Sequence, residues 1–306
     1  MFIVRHRKFF YIFSALLIVA SIVSLSVWGL KPGIDFTGGS LLEVTYAQRP
    51  AKADVVTALL PLNLGDVSVR ETGDNGFIIR SRDLAPAEKD AVVVVLKTFV
   101  GTSTDAAAFA EKRFDSVGPI LGKEALQKSW VSISMVLIAI VLFITFAFRK
   151  VSEPVSSWKY GLIAVIALLH DVIIPMGVFA VLGHFAGFEV DTLFITAILV
   201  VLGFSVHDTI VVFDRVRENL YHSRDSAKKT FETIVGQSVS ETFVRSVNTS
   251  LTTILAIVAL YLVGPESTKH FSLALMIGIA SGTYSSIFIG STLLVTAHKL
   301  KEKKRG

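Results

Sequence analysis

The sequence contains no cysteine, which excludes disulfides, thiolate metal sites and thiol nucleophiles together. Charge is scarce as well. Only 18% of the 306 residues are Asp, Glu, Lys or Arg, against 52% hydrophobic, and the mean hydropathy is +0.63. A soluble domain of this length has far less apolar surface to hide, so the composition is that of a membrane protein. The first apolar run lacks a small-x-small cleavage site ahead of Lys31 and is too long for a signal-peptide core. The expectation is therefore an uncleaved anchor.

What is present is a set of six apolar runs, each near the roughly 20 residues needed to cross a bilayer. They lie at 9–30, 129–148, 160–183, 191–213, 247–263 and 271–298, the fifth being the shortest and the last long enough to tilt. Basic residues fall on alternate connections. Arg5, Arg7 and Lys8 precede the first run, and Arg149, Lys150 and Lys159 occupy 149–159. Six more lie in 214–245 and five follow residue 298, whereas the two short opposite loops hold only Lys269. The positive-inside rule then puts both termini, 1–8 and 299–306, and loops 149–159 and 214–246 in the cytoplasm. The net charge of +5 is topological on this reading, and no nucleic-acid partner is expected.

Residues 31–128 must form an exported domain between the first two spans. Alternation marks strands at 40–47 and 110–118, and Asp74, Asn75 and Gly76 separate 66–72 from 76–81 as a hairpin. Helical spacing marks 51–60. Pro86 opens a second helix over 86–100, although its valine run also suits a strand. The order strand, helix, strand, strand, helix, strand is that of a ferredoxin-like α/β sandwich.

Gly33, Gly38 and Ser40 in "GIDFTGGSLLEV" match a phosphate loop, but Gly39 stands where lysine belongs. A phosphate loop follows a strand and opens a helix, whereas this stretch follows a span and opens a strand. It reads as a glycine-permitted turn, with Asp35 bonding nearby backbone N–H groups.

Charges inside the runs are the remaining candidates. Asp208 lies about 8 Å from the cytoplasmic end of the fourth run and Asp171 about 15 Å into the third, at 1.5 Å per residue. Each follows a histidine, His207 and His170. A carboxyl at such depth is costly and by default faces the bundle interior with a function. Burial disfavours its charge and a nearby cation favours it, so a site alternating between these surroundings can load and release a proton. Arg245 opens the fifth run ahead of the polar Asn248, Thr249, Thr252 and Thr253, and its stem could reach Asp208. Rival readings are interhelical hydrogen bonding for both aspartates, orientation alone for Arg245, and neutral interhelical imidazoles rather than relays for the histidines. Asp214, Arg215, Arg217 and Glu218 read as a solvated helix end. In the last run Ala274, Gly278, Gly282, Ser286 and Gly290 recur every four residues, a stripe for close helix packing.

The ordered set Gly33-x-Asp35-Phe36-x-Gly38-Gly39, "VGPILGKE" (117–124) and "HDTIVVFDRVREN" (207–219) resembles the SecF branch of the SecD/SecF family of bacterial protein-export membrane proteins, within the resistance-nodulation-division superfamily. The resemblance runs through the whole chain. It implies a six-helix bundle in the bacterial inner membrane and an exported ferredoxin-like domain. It also implies pairing with SecD, association with the SecYEG channel, and proton-driven pulling of a preprotein after SecA has inserted it. Neither cofactor, metal nor covalent catalysis is implied. Asp208 and Arg245 align with the family's proton-pathway pair. The alternatives are half of a small-molecule or lipid exporter of the same superfamily, and a scaffold whose aspartates never titrate.

Overall fold

The computed structural model describes residues 2–100, 108–148, 155–223 and 229–303. Arg149 and Lys150, counted above for orientation, and the terminal residues 304–306 lie outside them. In chain order the elements are α1 (Phe2–Arg5), α2 (Arg7–Val27), α3 (Ile34–Thr37), β1 (Gly39–Tyr46), α4 (Lys52–Leu59), β2 (Ser68–Thr72), β3 (Gly76–Ser81), α5 (Pro86–Lys97) and β4 (Phe109–Val117). There follow α6 (Pro119–Ala147), α7 (Ser157–Phe185), α8 (Thr192–His222), α9 (Phe231–Val263), α10 (Lys269–Tyr284), a π-helical turn (Ser285–Gly290) and α11 (Ser291–Lys303). They fall into two compact units, 1–31 with 130–306, and 32–129.

In the smaller unit the sheet order is β2-β3-β1-β4, every neighbouring pair antiparallel, as a split βαβ sandwich requires. Alternation along β1 buries Leu42, Val44 and Tyr46 against Val55 and Leu59 of α4 and Val92 and Leu96 of α5. The valine run of α5 is helical. Its first turn is fixed by Pro86 and by Glu88, whose carboxylate accepts the Ala85 N–H at 2.9 Å. Two of the sequence motifs meet here. Gly38 and Gly39 have φ of +75° and +119°, and a Cβ on them would lie 2.7 Å from Pro119 Cα and 2.6 Å from the Ser81 carbonyl. Only glycine fits both the backbone and the space. Gly122 returns the contact, since its Cβ would sit 2.9 Å from the Phe36 carbonyl. Gly33 caps the one-turn helix α3, which carries Asp35 and the buried Phe36 where a turn was expected.

Among the described residues six helical segments are long and apolar enough to span a membrane, five within the larger unit and the second, α6, entering it at Trp130. Their ends run past the apolar runs. The fifth, expected to be the shortest, is the 33-residue α9. The expected loop 214–246 is also largely helix, because α8 continues to His222 and α9 begins at Phe231, capped by the Thr230 hydroxyl. Charged residues there are satisfied on helix surfaces, as in the pairs Arg215–Glu241 and Arg215–Glu218, both 2.6 Å. The sixth segment is interrupted by the π turn.

Small residues bring the helices together. A Cβ on Gly177 of α7 would fall 2.3 Å from Ser21 Cβ of α2, and Ser14 and Ser24 are buried on the same helix. Gly278 and Gly282 of α10 meet Val201 and Ser205 of α8, at 2.2 Å and 3.0 Å from a virtual Cβ. That part of the stripe therefore packs within the chain. Gly290 is looser, its nearest neighbour being the Ser285 carbonyl at 3.7 Å. At one end of the bundle Phe148 stacks on Tyr160 at 5.3 Å, and both meet Phe213 edge-on.

Candidate functional site

Helix α7 carries proline at position 175, and a proline in a helix has no N–H for the carbonyl four residues back. That carbonyl belongs to Asp171. In a medium without water it needs another donor, and the Ser281 hydroxyl of α10 approaches it at 3.4 Å, sharing its hydrogen with the Gly278 carbonyl at 2.9 Å. The Asp171 side chain, fully buried, is held at both oxygens. Its Oδ2 accepts from Ser205 Oγ of α8 at 2.5 Å and from Ser285 Oγ of the π turn at 2.7 Å. Its Oδ1 lies 2.9 Å from His170 Nδ1. One residue thus ties three spans together through charge-capable hydrogen bonds.

Asp208 lies on α8 one turn beyond Ser205 and is 2% exposed, yet it is held far less firmly. Ser250 Oγ of α9, whose hydrogen also reaches the Ser246 carbonyl at 2.9 Å, donates to its Oδ2 at 3.4 Å, and Thr283 Oγ1 donates to Ser250 at 2.5 Å. Between the two aspartates runs a hydroxyl-lined seam: Ser286 Oγ donates to the Ser205 carbonyl at 3.4 Å and shares a 2.9 Å bond with Thr209 Oγ1.

The histidines separate. His170 is 2% exposed, with Nε2 lacking a partner among the described residues. The His207 side chain is 62% exposed on the outer face of α8, its Nδ1 3.8 Å from Asp208 Oδ1, beyond hydrogen-bond reach. It borders the Asp208 site rather than lying inside it. Arg245 is exposed on α9, and among the described residues no Lys or Arg forms an ion pair with Asp208 or Asp171. Asn248 and Thr252, in the polar stretch that follows Arg245, are exposed. The residues of that stretch facing inward are Ser246 and Ser250.

With this geometry in view, two family descriptions match the chain. "Protein export membrane protein SecD/SecF, C-terminal" covers residues 97–300, and the "SecD/SecF GG Motif" covers 23–48. The chain belongs to the SecD/SecF family. SecD/SecF relatives similar along nearly their whole length are proteins named protein translocase subunit SecF. That of Thermobaculum terrenum is 43% identical over 96% of this chain and 93% of its own, and that of Anaerolinea thermophila 38% identical over 96% and 92%. Among solved structures, SecDF from Thermus thermophilus, described as a translocon-associated membrane protein, superposes with a TM-score of 0.78 at 26% identity. The match covers 96% of this chain and 38% of that one. SecDF in a super-membrane-facing form gives 0.63 at 25% identity, over 99% and 39%. The expected fold class, a SecD/SecF bundle of six spans with an α/β domain between the first two, therefore holds.

Sequence reading missed the hydroxyls around both carboxylates: Ser205, Ser250, Ser281, Thr283 and Ser285. Their signal is periodic. Ser281 and Ser285 stand four apart on the face that presents Gly278 and Gly282 to α8, so the small-residue stripe and the polar lining are adjoining edges of one surface.

Proposed function

We propose that this chain is the SecF half of a SecD–SecF unit in the bacterial inner membrane, using proton flow to promote late translocation of preproteins. The observation that carries the reading is Asp208: a buried carboxyl in a membrane helix, weakly held, beside an exposed histidine. A group held by one long hydrogen bond can change protonation without dismantling the bundle. A tightly tied one cannot do so without loosening its neighbours.

The proposed pathway comprises Asp208, Arg245, Asp171 and His207. Asp208 takes up and releases the proton, and Arg245, free to swing on its exposed stem, approaches it when the proton leaves. A proton falling through 100 mV delivers about 2.3 kcal/mol, enough to shift a two-state equilibrium about fifty-fold. That suffices to rock a domain such as 32–129, not to unfold one. The basic residues favour cytoplasmic termini and an exported 31–128 domain. Partners on this reading are SecD, the SecYEG channel, SecA acting earlier on the same preprotein, and membrane lipid. The chain performs no covalent chemistry and needs no cofactor. The SecF names of its relatives and its single α/β domain support this over an exporter half.

Replacing Asp208 with Asn keeps size and most hydrogen bonding but cannot cycle a proton. In cells, the variant chain should copurify with SecD at normal levels while proton-dependent export is lost. Normal export with altered efflux of small apolar compounds would favour the exporter instead.

A further inference from the structure

We infer that the buried His170–Asp171 dyad is a second proton site, and that its charge sets how tightly the last span is held at its π turn. The inference rests on the proton-driven reading and assigns a distinct task to a distinct carboxyl.

Three observations meet there. First, the π turn Ser285–Gly290 is anchored from outside its own helix: Ser285 Oγ bonds Asp171 Oδ2, and Ser286 Oγ bonds the Ser205 carbonyl and Thr209. A π turn is an extra-wide register in a helix and is frequently found at functional sites. Second, Oδ2 of Asp171 takes two hydroxyl hydrogens at 2.5 Å and 2.7 Å, so it acts as an acceptor only. Third, His170 Nε2 is buried without a partner among the described residues. An unfilled lone pair is easier to bury than an orphaned N–H, so the neutral ring carries its hydrogen on Nδ1 and donates it to Oδ1. The vacant nitrogen is then the one place in the dyad that can accept a proton without displacing a hydrogen bond.

The proton balance is simple. A proton adds to Nε2, and the Nδ1 hydrogen passes along the existing 2.9 Å Nδ1–Oδ1 bond to Oδ1. The products are a neutral carboxyl and a neutral imidazole whose Nε2–H has no acceptor among the described residues, a cost that the protonated state carries. The heavy atoms need not move. What changes is strength: the Ser205 and Ser285 bonds, formerly to a carboxylate, become bonds to a neutral carbonyl oxygen, and charge-assisted bonds are about twice as strong as neutral ones. Protonation therefore loosens the joint between α7, α8 and the last span.

Other groups facing the dyad do not compete for the proton. From α10, Tyr284 stacks on His170 with ring centres 6.0 Å apart, its hydroxyl donating to the Phe10 carbonyl and accepting from Ser14 of α2. From α8 comes Ser205 and from the π turn Ser285. Among the described residues no Lys or Arg pairs with the dyad.

Because the chain lacks cysteine, two labels can be placed at will. Trp158→Cys on α7 and Leu300→Cys on α11, both exposed, allow spin-label distances to be followed against pH in the full chain reconstituted with SecD. Wild type should exchange two distance populations as pH falls, their ratio changing roughly tenfold for the weakening of one charged hydrogen bond. Asp171→Asn should show the acid population at every pH, and so should Ser285→Ala, which removes the anchor without touching the carboxyl. His170→Phe should remove the pH response. Asp208→Asn should keep that response while losing export, which separates this inference from the function proposed for Asp208. An unchanged pH response in Asp171→Asn, or in Ser285→Ala where the first variant fails to fold, would overturn it. So would a wild-type distance that ignores pH.

Discussion

Pro175 and Asp171 lie one helical turn apart on α7, and the ring of the first leaves the carbonyl of the second to the Ser281 hydroxyl of another span. The same aspartate then binds α8 and the π turn through its side chain. A break in one helix thus becomes a joint among three.

That relationship makes Ser281 and Pro175 energetically coupled. Ser281→Ala should destabilise the chain by about 1–2 kcal/mol, the cost of a buried carbonyl without a donor. In a Pro175→Ala background the restored N–H takes that carbonyl, and the same change should cost only a few tenths of a kcal/mol, about 0.3. Unfolding of the detergent-solubilised chain in all four combinations measures the difference. Additive effects would mean that Ser281 does not replace the missing N–H.

The last span should be intolerant of a side chain at Gly278 of α10 and tolerant of one at Gly290 of the π turn. An alanine at 278 puts a methyl 2.2 Å from Val201 Cγ2, and such overpacking costs about 1–3 kcal/mol. Val201→Ala should recover most of it. At 290 the nearest atom is 3.7 Å from the new methyl, so Gly290→Ala should stay within about 0.5 kcal/mol of wild type. Thermal unfolding ranks the three variants.

In the 32–129 unit, Gly39→Ala would combine a φ of +119° with a methyl 2.6 Å from the Ser81 carbonyl. Backbone atoms cannot step aside as side chains do, so the variant should lose about 2 kcal/mol or more. Gly73→Ala, at a φ of +51° with open space around it, should cost about 1 kcal/mol. Pulse proteolysis of the whole chain, followed at sites in 32–129, reads both.

Acid should weaken the same unit through Glu88. The Arg82 guanidinium hydrogen bond, followed by the Ala85 N–H, holds its carboxyl down at about 2, against 4.5 for the free group. A depressed carboxyl pKa stabilises the fold above the unfolded value, and the contribution is lost as pH falls from 4.5 towards 2. Glu88→Gln should flatten the pH dependence of protease resistance in that window. Because the pair is on the surface, the effect should shrink with added salt.

The α/β unit was legible almost residue by residue, because alternation in "SLLEVTYA" and "GFIIRS" has only one compact solution once Pro86 and the hairpin turn are placed. Span number was equally plain. Span ends were not, since a helix such as α9 continues through Glu232, which pairs with Arg7 of α2 and Lys299 of α11, and through Gln237 and Glu241, which find partners on its own surface or on α8. Both buried aspartates could be picked from depth alone. Their partners could not, because serine and threonine in a membrane helix commonly bond their own backbone, as Ser238, Thr249 and Thr252 do here. Ser205 and Ser285 differ from these only in which way they face. Likewise His170 and His207 stand in the same dipeptide, and only helix packing puts one inside and the other at the surface.

Proton cycling at Asp208 is tested most directly by reconstituting the chain with SecD, SecYEG and SecA and measuring completion of a stalled preprotein with and without an imposed proton gradient. Wild type should complete translocation faster with the gradient, and a protonophore should remove the gain. Asp208→Asn, assembled normally, should run at the slow rate under both conditions. Gradient-dependent acceleration that survives in Asp208→Asn would contradict the assignment of this carboxyl as the coupling site.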